Sequence, residues 1–171
     1  HINKNSLQGD REIIEIVERM GANLEIFDDY VIVKPSKTQG TVIDISQCPD
    51  IGPVLTVLAA LSEGETRIIN GERLRIKESD RITSIKTELN KLGANVAEEG
   101  DRLIIQGVEG FAGGITVNAW NDHRIAMSLA IASTRCEKEI ILEEAESVRK
   151  SYPHFWDDFV RMGGEIEVVE K

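Results

Sequence analysis

Residues 82 to 97 read Ile82-Thr83-Ser84-Ile85-Lys86-Thr87-Glu88-Leu89-Asn90-Lys91-Leu92-Gly93-Ala94-Asn95-Val96-Ala97 and change period half-way along. Ile82, Ile85, Leu89 and Leu92 recur at helical spacing. Gly93 then offers the left-handed C′ position that closes a helix without a Cβ clash. After it, Asn95-Val96-Ala97 and Leu103-Ile104-Ile105 flank a turn at Glu99-Gly100-Asp101, the pattern of a β-hairpin.

The same switch occurs elsewhere. Met20-Gly21-Ala22 and Met162-Gly163-Gly164 match Leu92-Gly93-Ala94, and the three first glycines stand 72 and 70 residues apart. Ile13, Ile14, Val17 and Met20 precede the first, and Phe155, Phe159 and Met162 the third. Leu24-Glu25-Ile26 and Val31-Ile32-Val33 predict a hairpin around Asp28-Asp29. Each hairpin leads to a strand (Thr41 to Ile45; Ile115 to Asn118), a small-residue-rich helix (about Ile51 to Leu61; His123 to Ser133) and a further strand (Thr66 to Ile69; Glu139 to Leu142). The unit of helix, hairpin, strand, helix, strand is therefore expected twice in full, with a third begun, over about residues 10–72, 80–145 and 154–171. The expected fold is one α/β domain of stacked units spanning 1–171.

Composition fits that reading. The 171 residues are 41% hydrophobic, with 14 Gly and 4 Pro, as in an ordinary globular domain. Aromatics are only 5%, so the core must come from Ile, Leu, Val and Ala. Twenty basic against 30 acidic residues give a net charge of −10. That balance argues against a nucleic acid or an anionic membrane as the main partner, because both need a basic face. It leaves room for small anionic substrates. No apolar run is long enough for a membrane span. Cys48 and Cys136 belong to no metal or redox motif and read as reduced thiols, which suits a cytoplasmic setting. The chain begins at His1, in the polar segment Ile2-Asn3-Lys4-Asn5, and is read as a piece of something longer.

The repeat aligns two acids. Asp50 and Asp122 each stand 29 residues after their glycine, where a strand hands over to a helix. An N-cap serves for either, and the tight surroundings of Asp50 (Cys48-Pro49, Gly52-Pro53) add a chemical reading by exposing its carboxylate. Cations gather at three places just before helices. Arg73-Leu74-Arg75-Ile76-Lys77-Glu78-Ser79-Asp80-Arg81 holds four of them; with Ser79 or Asp80 as cap, the helix start beside Lys77 and Arg81 suits phosphate or carboxylate. The plain alternative is a solvated charged loop. Asn121-Asp122-His123-Arg124 puts Arg124 in a first turn, where a cation is unfavourable unless an anion offsets it. His123 taken alone reads as a capping or packing residue. Arg149-Lys150-Ser151-Tyr152-Pro153 is the third cluster. Taken together the three suggest one shared anion pocket.

Arg75-x-Lys77-Glu78-Ser79-Asp80-Arg81-Ile82, Thr87-Glu88-Leu89-x-Lys91-Leu92-Gly93-Ala94, Asp122-His123-Arg124-Ile125-Ala126-Met127, Lys150-Ser151-Tyr152-Pro153-x-Phe155 and Pro49-Asp50 are ordered segments. Together they resemble the 5-enolpyruvylshikimate-3-phosphate synthases. The resemblance runs through essentially the whole chain. It implies the enolpyruvyl transferase fold of βαβαββ-type units, and transfer of the enolpyruvyl group from phosphoenolpyruvate to the 5-hydroxyl of shikimate 3-phosphate, releasing phosphate. By that analogy Asp50 is the base toward the hydroxyl, and Glu78 protonates and later deprotonates the methylene carbon. Lys77 contacts shikimate 3-phosphate. Arg81, Arg124 and Lys150 bind phosphoenolpyruvate, with Lys150 and His123 near the departing phosphate. No metal and no organic cofactor are implied.

The family has two similar domains, and this chain resembles the C-terminal one, so the N-terminal domain is the implied partner and the chain alone is expected to be inactive. Other readings are a UDP-N-acetylglucosamine enolpyruvyl transferase and a non-catalytic module that keeps the fold. The implied location is the cytoplasm, or the plastid for a plant source.

Overall fold

The computed structural model describes residues 6–169. The opening segment Ile2 to Asn5 and the last two positions of the expected third unit lie outside the described residues. In chain order the elements are α1 (Ile13–Arg19), β1 (Asn23–Ile26), β2 (Val31–Lys34), β3 (Val42–Asp44), α2 (Gly52–Ala60), β4 (Glu65–Ile69) and α3 (Arg81–Leu92). They continue with β5 (Asn95–Glu99), β6 (Arg102–Gln106), β7 (Thr116–Asn118), α4 (His123–Ser133), β8 (Ile141–Glu143) and α5 (Phe155–Arg161). Short 3₁₀ turns occupy Gly9–Glu12, Pro49–Ile51, Glu72–Ile76 and Ala145–Lys150.

Three helices close in one way. Gly21, Gly93 and Gly163 have φ of 88°, 106° and 97°. Each donates its N–H to the carbonyl three residues back, and the following residue donates to the carbonyl five back. This is the Schellman arrangement, which needs the left-handed backbone that glycine adopts without strain. Strand order follows from what comes after. β1 pairs with β2 from Asn23↔Lys34, and β5 with β6 from Asn95↔Gln106, both antiparallel. β3 lies parallel to β4, and β7 parallel to β8. β4 also pairs antiparallel with β6, giving a four-stranded sheet in the order β3-β4-β6-β5 beside two two-stranded pairs. The last strand starts two residues later than its sequence pattern suggests. Glu139 still carries the ladder through its carbonyl to Gly114 N–H, but Ile141–Glu143 makes the paired register.

The helices bury different faces. α3 is amphipathic: Ile82, Ile85, Leu89 and Leu92 are fully buried at i, i+3, i+7 and i+10. α2 is apolar nearly all round, and Leu55, Thr56, Val57, Ala59 and Ala60 are all buried. That marks it as the interior helix, packed against α3, α4, β4 and β6. The core runs continuously from Ile16 through Ile43, Leu55, Ile68, Ile85 and Leu103 to Leu129. A smaller cluster of Ala126, Val148, Phe155 and Phe159 adjoins it through Leu142. Each such buried aliphatic side chain stabilises the fold by roughly 1.5–3 kcal/mol before entropy is counted. This core holds the N-terminal ends of α2, α3 and α4 in place; Asp50 and two of the three charged clusters sit at those ends, and the third lies before α5.

Candidate active site

Asp50 sits in the 3₁₀ turn leading into α2, Lys77 to Ser79 in the loop before α3, and Arg81 on the first residue of α3. Asp122 caps α4, and His123 and Arg124 form its first turn. At their centre is Arg81, a cation only 1% exposed. Its Nε donates to Asp122 Oδ2 at 2.8 Å and its Nη2 to Asp122 Oδ1 at 3.2 Å. Nη2 also donates to Glu78 Oε2 at 2.6 Å, and Nη1 to Asp50 Oδ1 at 2.9 Å. Lys77 Nζ meets that same Asp50 oxygen at 2.8 Å. One planar guanidinium therefore holds three carboxylates in fixed directions, which a lysine ammonium could not do.

Environment tunes each group differently. Burial pushes the Asp122 carboxyl up. The Arg81 guanidinium, the Arg124 backbone N–H and the Ser79 hydroxyl outweigh it and hold the group below the usual carboxylate range. Asp50 follows the same pattern: burial raises it, and Lys77 with Arg81 wins in the opposite direction. His123 is 7% exposed, and burial holds its imidazole below the ordinary histidine value although Glu78 and Asp122 pull the other way. It is therefore neutral at pH 7, with Nδ1 3.8 Å from Glu78 Oε1. That Nδ1 and the Nε of Arg124 are buried without hydrogen-bond partners. Two side chains beside each other in sequence thus lack a partner for a buried nitrogen, where one more polar group is called for.

The family model described as EPSP synthase (3-phosphoshikimate 1-carboxyvinyltransferase) matches residues 1–159. The chain belongs to the EPSP synthase family. The 3-phosphoshikimate 1-carboxyvinyltransferase of Clostridium perfringens strain 13 is 62% identical over 160 residues, covering 93% of this chain and 38% of that protein. The enzyme of that name from Clostridioides difficile is 55% identical over 168 residues, 97% of this chain and 38% of that one. The chain thus spans well under half the length of these relatives. Among solved structures, EPSP synthase from Acinetobacter baumannii superposes with a TM-score of 0.80 at 33% identity, covering 92% of this chain and 40% of that chain. The enolpyruvyl transferase NikO from Streptomyces tendae, at 21% identity and a TM-score of 0.73, shares the fold.

Within this member of the EPSP synthase family the charged run divides. Lys77 and Arg81 reach the site. Arg75 instead pairs with Asp80 at 2.8 Å and Glu98 at 2.6 Å, and Arg73 donates to the Ser46 carbonyl. Of the two caps the sequence offers for α3, Asp80 is the one used: it accepts the Thr83 N–H at 3.2 Å. Asp122 does cap α4, through Arg124 N–H at 2.8 Å, whereas Asp50 caps nothing and remains part-exposed. Lys150 lies apart from the carboxylate group and donates to the Asn121 carbonyl, while Tyr152 of the same cluster turns to Asp158 on α5.

Glu78, Asp122 and His123 bring three metal-ligand atoms within 4.8 Å of one another. Both Asp122 oxygens already accept two hydrogen bonds each, so the trio offers no free lone pair there for a cation. Sequence reading missed two things: that Asp122 anchors Arg81 as well as capping α4, and that Ser79 joins it at 3.0 Å. No local pattern could show either, since Asp122 lies 41 residues from Arg81 along the chain.

Proposed function

We propose that this chain forms one domain and supplies part of the active site of an enzyme moving the enolpyruvyl group from phosphoenolpyruvate to the 5-hydroxyl of shikimate 3-phosphate. The observation that carries the reading is the bracketing of Asp50 and Glu78 by the two Nη atoms of buried Arg81. An addition–elimination reaction needs one group that takes the hydroxyl proton and another that gives a proton to the methylene carbon and later removes one. Asp50, held anionic by Lys77 and Arg81, suits the first task. Glu78 suits the second, because its bond to Arg81 is exchangeable for the carboxylate of phosphoenolpyruvate. Arg81 then binds substrate, and Glu78 is freed to carry a proton. Lys77 serves shikimate 3-phosphate.

Arg124, with its unpartnered Nε, and Lys150 bind the phosphate of phosphoenolpyruvate, with neutral His123 beside the departing group. The C2–O bond to the 5-oxygen forms as C3 gains a proton. C3 then returns a proton to Glu78 as the C2–O bond to phosphate breaks. The reading implies the remaining N-terminal part of the enzyme as partner and a cytoplasmic setting. Among the described residues no helix is long and apolar enough to cross a membrane.

Deuterium tests the role of Glu78. In a chimera where this chain replaces the matching part of the C. perfringens relative, turnover in D₂O should place deuterium on the methylene carbon. Glu78→Gln should lower the turnover at least about 100-fold. Full turnover by the Glu78→Gln chimera contradicts the assignment.

A further inference from the structure

Glu88 lies on α3 two turns beyond Arg81, is 1% exposed, and hydrogen-bonds to Lys91, Asn118 and Trp120. Its carboxylate grips the connection from β7 to α4. Oε1 accepts the indole Nε1–H of Trp120 at 2.8 Å, and Oε2 accepts the backbone N–H of Asn118 at 3.1 Å. Lys91 Nζ supplies the counter-charge to both oxygens, at 2.9 and 2.8 Å.

The segment so held is strained. Trp120 and Asn121 have φ of 55° and 49°, two consecutive left-handed residues without a glycine, closed by Asp122 N–H to the Ala119 carbonyl at 2.9 Å. Such a backbone persists only where its surroundings over-determine it. Here the ties are Glu88 to the indole, Asn118 Oδ1 to Trp120 N–H at 2.6 Å, and Glu144 Oε2 to Asn121 N–H at 2.5 Å. The turn has a direct bearing on the site. Its Asn121 carbonyl receives Lys150, and its last residue is Asp122, which carries Arg81 and starts the helix presenting His123 and Arg124.

We infer that Glu88 is a positioning residue: it locks the 119–122 turn and thereby sets the three cations Arg81, Arg124 and Lys150 against an incoming anion. The anion's identity rests on the function proposed above; the locking does not. In Glu88→Gln the amide must turn its NH₂ toward one of the two N–H donors, so that bond gives way to a donor–donor clash and only the other can persist. Backbone carbon shifts of Trp120 and Asn121 in the 171-residue chain report the left-handed turn, and the indole N–H signal of Trp120 reports its bond.

Both should move in Glu88→Gln, while amide shifts around the α3 cap at Asp80 stay put. Trp120→Phe, which keeps the ring bulk, should move the same backbone shifts less. In the double variant the Gln carbonyl is free for Asn118 N–H, so the turn should recover toward the Trp120→Phe state. In the chimera, Glu88→Gln should raise KM for phosphoenolpyruvate about tenfold, with KM for shikimate 3-phosphate nearly unchanged and kcat changed less than KM. Unmoved Trp120 and Asn121 shifts with only a lowered Tm would overturn the inference. An inactive wild-type chimera in which the shifts still move as described would count against the proposed function alone.

Discussion

Arg81 is the residue on which the site turns. A lone buried guanidinium would be costly to desolvate, and three carboxylates converging on it compensate with charge-assisted hydrogen bonds. The sequence named Arg81 as functional, but not as the buried centre, because its partners Asp50 and Asp122 are 31 and 41 residues away. His123 shows burial acting in the other direction. Its folded imidazole titrates below the unfolded value of about 6.5. Between those two values the unfolded chain binds more protons than the folded one, so stability rises with pH there. Its contribution is complete above about pH 6.5 and is lost as pH falls through the folded value. Urea unfolding at pH 7.5 and 5.5 should show a drop in wild type that His123→Gln reduces; an equal drop in both would assign the loss to other groups.

Elements deliver these residues through helix starts, and the starts are not equivalent. α3 begins with a side-chain cap from Asp80, whose carboxylate also accepts from the Thr83 hydroxyl and Arg75, while α2 begins with none. Asp80→Ala should therefore destabilise the chain by about 1–2 kcal/mol. Asp50→Ala, at an uncapped start, should cost less. Differential scanning calorimetry separates the two, with roughly 2–4 °C per kcal/mol expected at this size; equal shifts would deny Asp80 its cap. Much at this scale was legible in the sequence. The switch from helical to alternating period at Gly93 marked α3, β5 and β6, since local geometry imposes both periods. What stayed hidden was how the helix starts are used. That Asp122 caps α4 follows from its place before the helix, but that it also carries Arg81 depends on which helix start packs beside it.

At the scale of the whole molecule, a repeated unit converts sequence spacing into spatial convergence. Helices α2, α3 and α4 pack on one core, so the residues before each of them meet on one face. The net charge of −10 conceals this, because it averages over the whole chain while Lys77 and Arg81 meet on Asp50, and the Arg124 N–H binds the Asp122 carboxylate that also holds Arg81. The face carries the groups to which the proposed function gives anion binding and proton transfer, on a chain that spans 38% of its C. perfringens relative. The central claim is that these groups work only when completed by the rest of the enzyme. It is tested by phosphate release from phosphoenolpyruvate in the presence of shikimate 3-phosphate, comparing the purified 171-residue chain with the clostridial chimera. The expected result is release by the chimera and none by the chain alone; release by the isolated chain, or a folded chimera that releases none, would contradict it.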